Sequence, residues 1–472
     1  MLSTVPSGAH AAAAAEARKP GQRSQLVRTT AWLASDQALQ ALLALVVGVA
    51  ITRKLGPSRL GDLSFALAVT AILTPFVVSY RQVMVRDLVT EPEERSAILG
   101  SGLVLGLASA TVGALGGIGF ALVAGGNDVR RVAVGISVAG LFGTALSGCE
   151  SALQTDHRGR ELAVVRTGAA ALGAALKVGL VLGGLGAVGF VWASSVQSFV
   201  GGALAVLVVH RVASSHGRWR VDRVRMRRLF NDSWPFAVSA LAIAVYMTID
   251  QVMLGLRSTA REAGLYAGAV RLSEATLLFP MVVIASASPV LARIHRTDAG
   301  RYRVATERLV RALTAIAVLV AIIGGILAET VVSVLLGGAF AGSRSVLVVL
   351  LFANIFVFQT VATSVWIVNE GLQRSYMVRT LCGAALNVAL NLFMIPRYGG
   401  EGAALSTLVA YAYVGPFGTW LDRRTRPLAS MMVASLSPWS IAHALRHDIP
   451  ELVRRTPADA PGDKASIEVD RP

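Results

Sequence analysis

Apolar runs about 20 residues long recur from one end of this sequence to the other, and a helix of that length crosses roughly 30 Å of hydrocarbon. Lipid offers no partners to backbone N–H and C=O groups, so a chain made of such runs must satisfy them within helices. Twelve runs are counted, at residues 30–52, 61–80, 97–124, 132–153, 162–183, 188–209, 234–256, 264–288, 306–328, 345–368, 375–395 and 401–421. The fold class expected is an all-α membrane protein of about twelve transmembrane helices. Composition agrees: 54% hydrophobic and 15% charged residues exclude a soluble enzyme and a disordered chain. Residues 329–343 read as a plain loop or a short surface helix.

Residues 1–28 lack a charged segment ahead of an apolar core, so they read as a disordered tail and not as a cleaved signal peptide. Residues 422–472 read as a second tail, in which "SMMVASLSPWSIAHAL" has the composition to lie on a membrane surface. Basic residues are retained on the cytoplasmic side of short loops. The loop "HRVASSHGRWRVDRVRMRRLFND" holds seven arginines and "ARIHRTDAGRYRVATER" five. Both lie on one side if the N-terminus is cytoplasmic, and an even number of crossings returns the C-terminus there. The expected localisation is the cytoplasmic (inner) membrane with both termini inside. The net charge of +16 is then a topology signal and an attraction to anionic lipid heads. Nucleic acid is excluded as a partner, because the basic loops lack interleaved aromatic residues for base stacking.

Cys149 and Cys382 sit inside predicted helices far apart in sequence and read as small buried side chains. The seven histidines fall in tails and loop edges with no HExxH motif, so neither a metal nor a catalytic residue is expected.

The chain also repeats itself. "LGPSRLGDLSFALA" resembles "LRSTAREAGLYAGA", with Gly61 and Gly264 in matching places. "VVRTGAAALGAALKVGLVLGGLGAVGFVWA" matches "MVRTLCGAALNVALNLFMIPRYGGEGAALS", with Arg166 falling on Arg379. Two parallel six-helix lobes around a central cavity are expected, at 29–210 and 232–421, joined by a basic cytoplasmic linker at 211–231. Pro75 and Pro280 lie deep in the second helix of each half, where proline bends a helix, as a moving part or a fixed kink. "GLGAVG" satisfies a dinucleotide-binding pattern, but it follows a membrane-length helix instead of a strand, so it reads as a turn. Gly102, Gly106, Gly113 and Gly117 have the small-xxx-small spacing of close helix packing.

Charged residues inside apolar runs are costly unless they face water or a partner. Asp250 and Arg271 fall at about equal distances, on the order of 10 Å, from the turn between the seventh and eighth helices. They read as a clip between those helices or as cavity groups, with Glu274 one turn further along as a titrating or cation-binding carboxylate. Lys177, Asp36 and Gln359 lie inside three other runs, and Asn387 and Asn391 mark one face of the eleventh. Arg166 and Arg379 either snorkel to the membrane boundary or join the others in a polar, partly cationic chamber suited to an anion.

"ITRKLGPSRLGDLSFALAV", "TIDQVMLGLRSTAREAGLYAGAVRL", "LLGGAFAGSRSVLVVLLFANIF" and "NVALNLFMIPRYGGEGAALSTLVAY" together give the chain, over about residues 28–421, a resemblance to a known family. It resembles the polysaccharide and oligosaccharide-lipid flippases of the multidrug/oligosaccharidyl-lipid/polysaccharide exporter superfamily. Asp62 and Phe65 depart from the Leu-Tyr type of pair more common after the first glycine. The resemblance implies a two-lobed transporter that flips undecaprenyl-diphosphate-linked oligosaccharide units by alternating access, for capsule, exopolysaccharide or O-antigen-like synthesis. It implies a lipid-linked oligosaccharide substrate, the lipid bilayer and other polysaccharide assembly proteins as partners. No cofactor is implied beyond coupling to H+ or Na+. On that footing Lys177, Arg271, Arg166 and Arg379 are candidate anion contacts, Asp250, Glu274 and Asp36 candidate coupling groups or a cavity ion pair, and Gln359, Asn387 and Asn391 polar cavity residues. Alternatives are a lipid-linked peptidoglycan precursor flippase and a multidrug or cation antiporter of the same superfamily. A membrane-embedded glycan polymerase or ligase is disfavoured by the short outside loops, which leave little room for catalytic residues.

Overall fold

The computed structural model describes the backbone of residues 20–125, 128–156, 158–184, 186–212 and 219–450, and side chains from residue 46 onward except 181, 182 and 212. All regular structure among these residues is helical. In chain order the helices are α1 (Pro20–Val78), α2 (Tyr80–Thr90), α3 (Arg95–Val123), α4 (Asp128–Leu146), α5 (Glu150–Thr155), α6 (Gly159–Leu182), α7 (Ala187–Val212) and α8 (Arg223–Arg257). They continue as α9 (Ala260–Ala275), α10 (Leu278–His295), α11 (Ala299–Ile326), α12 (Ala328–Leu335), α13 (Ser343–Asn369), α14 (Gln373–Ala412), α15 (Gly418–Leu421), α16 (Arg426–Ser435) and α17 (Pro438–His443). The protein is a multi-pass membrane protein.

Ten helical stretches among the described residues are long and apolar enough to cross a membrane. Two of them, Val46–Thr90 and Gln373–Leu421, run to 45 and 49 residues, far more than the ~20 that one crossing needs. Each is broken at a glycine of positive φ, Gly56 at 70° and Gly399 at 51°. That left-handed backbone is open to glycine and strained for most other residues. The second holds the runs 375–395 and 401–421, and the first holds the end of the run 30–52 and the whole of 61–80, so the ten stretches accommodate the twelve runs read from the sequence.

Packing divides the chain into two compact units, Met1–Ala267 and Gly268–Pro472. In the first, α8 packs on α1, α2 and α3, so the seventh apolar run shares a core with the helices before it. The α3 glycines seat large side chains, as the spacing predicts. A Cβ at Gly102 would lie 2.5 Å from Met84 Sδ, and one at Gly117 2.6 Å from Val138 Cγ1. Tyr80, 1% exposed, fills a socket floored by Gly106 and Gly148, and its hydroxyl donates to the Ala145 carbonyl at 3.1 Å. That carbonyl lies where α4 gives way to the 3-10 turn Ser147–Cys149.

Gly61 and Gly264, matched by the repeat, meet inside the first unit. A Cβ on Gly61 would overlap the Ala260 carbonyl oxygen, and one on Gly264 would overlap the Pro57 carbonyl oxygen. The contact is reciprocal, backbone on backbone, and leaves no room for a methyl group on either side.

In the second unit, α13 packs against α11 and α14, with Phe340 and Phe358 wholly buried. The eighth apolar run is interrupted between α9 and α10, at Thr276–Leu277, one turn before Pro280. Asn354 of α13 bridges the break: its Nδ2 donates to the Ser273 carbonyl at 3.0 Å, to Ser273 Oγ at 2.9 Å and to Thr276 Oγ1 at 3.0 Å. Residues 328–335 form the short helix α12, one of the two forms expected of that segment. Beyond residue 421 the chain is neither plain tail nor a simple surface segment as far as residue 448. The pair Arg426–Ser435 and Pro438–Asp448 is bent by 79°, and Leu428, Ala429 and Met432 are buried. Cys149 is buried as expected, whereas Cys382 is exposed.

The Gly61/Gly264 contact gives the first prediction. Gly61→Ala and Gly264→Ala should each destabilise the purified protein by about 1–3 kcal/mol, the range for forcing a methyl group into packed structure. The double variant should lose less than the sum, because both changes relieve one contact. Thermal unfolding in a single detergent measures this, and an unchanged Tm in both single variants would show that the two segments do not meet.

Candidate functional site

In the first unit, Lys177 of α6 is half-buried. Its Nζ donates to Gln197 Oε1 of α7 at 2.9 Å and lies 5.1 Å from the centre of the Phe190 ring. Gly173, one turn before the lysine, makes room for Gln197, whose amide would collide with any Cβ there. An amide oxygen and an aromatic face orient this ammonium.

Arg166 is held differently. Its Nε and Nη2 both donate to Glu150 Oε2, at 2.8 and 2.7 Å, so a carboxylate at the start of α5 answers its charge. Asp250 of α8 is buried and accepts a hydrogen bond from the Tyr266 hydroxyl at 2.8 Å. The backbone of Asp36 lies in α1, and its side chain is outside the described residues.

In the second unit, Arg271 is half-buried and Glu274 exposed on α9, with Glu274 two residues before the break. Gln359 is fully buried on α13; its Nε2 donates to the Met432 carbonyl at 3.0 Å and to Ser435 Oγ at 3.1 Å. Ser435 Oγ in turn lies 3.0 Å from Thr314 Oγ1, so Gln359 fastens α16 to α11 and α13. Asn391 Nδ2 donates to Asn387 Oδ1 at 3.0 Å, and both residues are fully buried. Arg379, 5% exposed, donates to Thr419 Oγ1 and lies 5.4 Å from the centre of the Tyr376 ring.

One buried constellation escaped the sequence reading. Arg130 Nε donates to Asp62 Oδ1 at 3.1 Å and its Nη1 to the Gly255 carbonyl at 2.6 Å. The guanidinium stands 4.9 Å from the centre of the Phe65 ring, which stacks on Phe120. Asp62 and Phe65 were visible only as departures from a family pattern. The available signal was that Asp62 follows Gly61 at the start of the second run and that Arg130 stands at the start of the fourth, the same end of the bundle when crossings alternate. Among the described residues no group of three or more His, Cys, Asp or Glu is placed to hold a metal.

The Arg166–Glu150 pair yields the second prediction. Arg166→Ala leaves a mostly buried carboxylate without its cation and should destabilise the protein by about 3 kcal/mol. Adding Glu150→Ala should recover part of that loss. Denaturation of the two variants in detergent tests this, and a double variant no more stable than Arg166→Ala would show that the pair is not coupled.

A family model described as a polysaccharide biosynthesis protein matches residues 26–295. No curated protein matches the chain in sequence. Among solved structures, the lipid II flippase MurJ in an inward closed conformation is similar with a TM-score of 0.66 and 12% identity, over 89% of this chain and 96% of that one. An inward-facing multidrug resistance MATE family transporter of the MOP superfamily gives a TM-score of 0.64 and 13% identity, over 86% of this chain and 96% of the other. The eukaryotic MATE transporter AtDTX14 gives 0.51 and 16%, over 91% and 100%. At these identities the likeness establishes the fold alone, the helical fold that these structures share. With more than half of its length covered by the family model, the chain belongs to the polysaccharide biosynthesis protein family.

Proposed function

We propose that this protein flips undecaprenyl-diphosphate-linked oligosaccharide units across the cytoplasmic membrane by alternating access, supplying polysaccharide synthesis. The observation that carries this reading is the polysaccharide biosynthesis match over residues 26–295 in a chain with the fold of a lipid flippase. Both termini face the cytoplasm in this proposal, the side on which the arginine-rich loops lie.

The cargo's diphosphate calls for cations that keep their charge in apolar surroundings. Lys177 meets that need better than Arg166. Gln197 and Phe190 orient it toward one place, whereas the Arg166 guanidinium is committed to Glu150. Arg271 is the second cation assigned to the anion, with Arg379 a lesser contact. Glu274, exposed beside a helix break, is the carboxylate assigned to H+ or Na+ coupling, with Asp250 and Asp36 as further candidates. Interrupted membrane helices recur where transporters bind substrate and ions.

A peptidoglycan precursor carries the same diphosphate-polyprenyl chemistry, so it is the second reading for the same groups. An antiporter of drugs or cations fits less well, since Lys177 and Arg271 would repel a cationic cargo.

Lys177→Ala and Arg271→Ala should each lower translocation of a polyprenyl-diphosphate oligosaccharide in proteoliposomes by about 10- to 100-fold, as expected for a lost hydrogen bond to a charged group. Lys177→Arg should retain more activity than Lys177→Ala. Undiminished translocation in both alanine variants would remove the diphosphate assignment. Selective uptake of a lipid-linked peptidoglycan precursor by the unaltered protein would transfer the reading to that cargo.

A further inference from the structure

Helix α8 is fastened to the rest of the first unit at both ends, by different physics. At its C-terminal end a Cβ on Gly255 would overlap Phe65, Arg130 reaches the Gly255 carbonyl, and the Gly61/Gly264 contact lies just beyond. These are shape contacts and a shielded ion pair, in which Arg130 and Asp62 side chains are 11% and 9% exposed. Both partners of this pair are shielded, whereas the carboxylates that pair with Arg225 at the other end, Glu91 and Glu94, are 29% and 54% exposed, so salt competes less here.

The N-terminal end is held by charge. The Arg225 guanidinium pairs with Glu91 and Glu94 in the connection between α2 and α3 and lies 3.6 Å from Asp87 Oδ2. Arg228 pairs with Glu91 at 3.0 Å, and Arg86 bridges Asp87 at 2.8 Å and Asp232 at 2.6 Å. Backbone contacts run alongside: Arg220 N–H donates to the Ser96 carbonyl at 3.2 Å, and Asp222 N–H donates to Ser101 Oγ at 3.0 Å.

Within this cluster the centre is dry and the rim is wet. Arg225 and Asp87 side chains are 5% and 1% exposed, whereas Glu94, Arg228 and Arg86 are 54%, 51% and 51% exposed. Arg225 Nη1 makes no hydrogen bond among the described residues, so the centre is incompletely bonded. Exposed ion pairs are individually weak, because water and salt ions replace the partners readily. The hydrogen bond from Arg225 holds the Glu91 carboxyl below the usual carboxylate range. It therefore stays charged at neutral pH, which makes ionic strength, and not protonation, the lever on these contacts.

We propose that the Arg225 cluster is an ionic latch. It fixes the N-terminal end of α8 to the α2–α3 connection in the state seen here and opens in another state of the transport cycle, while the shape contacts at the far end of α8 serve as the pivot. The apolar layer beneath it, Leu229 against Leu88 and Met84, is what an opened latch would uncover.

The test uses the purified full-length protein in detergent with Cys149 and Cys382 replaced by Ala and Leu229→Cys as a reporter. A water-soluble maleimide should label the reporter slowly at about 0.05 M salt and about tenfold faster at about 0.5 M, where charges are screened within a few ångströms. Arg225→Gln should label fast at both concentrations, and Arg225→Lys should stay slow at low salt. A labelling rate indifferent both to salt and to Arg225→Gln would make the cluster a fixed structural clip and overturn the proposal. Should Arg225→Gln lose its monodisperse fold, the salt response of the chain with native Arg225 decides alone. Because the readout needs no cargo, it stands or falls separately from the flippase assignment.

Discussion

A backbone polar group without a partner costs several kcal/mol in hydrocarbon, and that constraint decides where these helices can stop. Each interruption within an apolar run comes with its own replacement. At Thr276–Leu277 the Ser273 carbonyl accepts from Asn354. At the end of α4 the Ala145 carbonyl accepts from Tyr80, and Arg81 donates to the Thr144 carbonyl at 2.5 Å. Local groups help, Thr276 Oγ1 at the Ser273 carbonyl and Ser147 Oγ at the Thr144 carbonyl, but Asn354, Tyr80 and Arg81 come from other helices, so these breaks are also joints between two helices. Moving either partner disturbs both, which is how a local kink becomes a property of the bundle.

The same cost sorts the charges. Arg166 and Arg130 are answered by carboxylates, Glu150 and Asp62, and these pairs hold helices together. Lys177 is set against an amide and a ring, which aim it. Charges that join helices are thereby set apart from a charge that is held in one direction, and this is a distinction of position. Composition cannot supply it, since the net charge of +16 is concentrated in loops.

Much of the fold was legible in the sequence because the membrane imposes one length on every crossing. All twelve apolar runs lie in helices, and the α3 glycines seat the side chains that their spacing requires. The breaks were less legible. Pro280 signals a bend near residue 276, but the partner that makes the break tolerable, Asn354, lies in a different helix 78 residues or more away, and sequence periodicity carries no such distance. Gln359 was readable as a polar residue in mid-helix, yet its partners are in α16, a segment whose mixed composition gave no strong helix signal. Arg166 shows the converse: Glu150 was in plain view inside an apolar run, but only the turn at Ser147–Cys149 brings it to the arginine.

The internal repeat ties these observations together and shows where the halves have diverged. Gly61 and Gly264 remain equivalent because each must let the other's strand of backbone approach, and a reciprocal contact tolerates no one-sided change. Arg166 and Arg379 occupy equivalent places without that coupling. One pairs with a carboxylate near water, the other is 5% exposed between Thr419 and Tyr376. Lys177 has Leu390 at the equivalent position and Asn387 has Ala174. Symmetry is thus retained where backbone meets backbone and lost at these side chains.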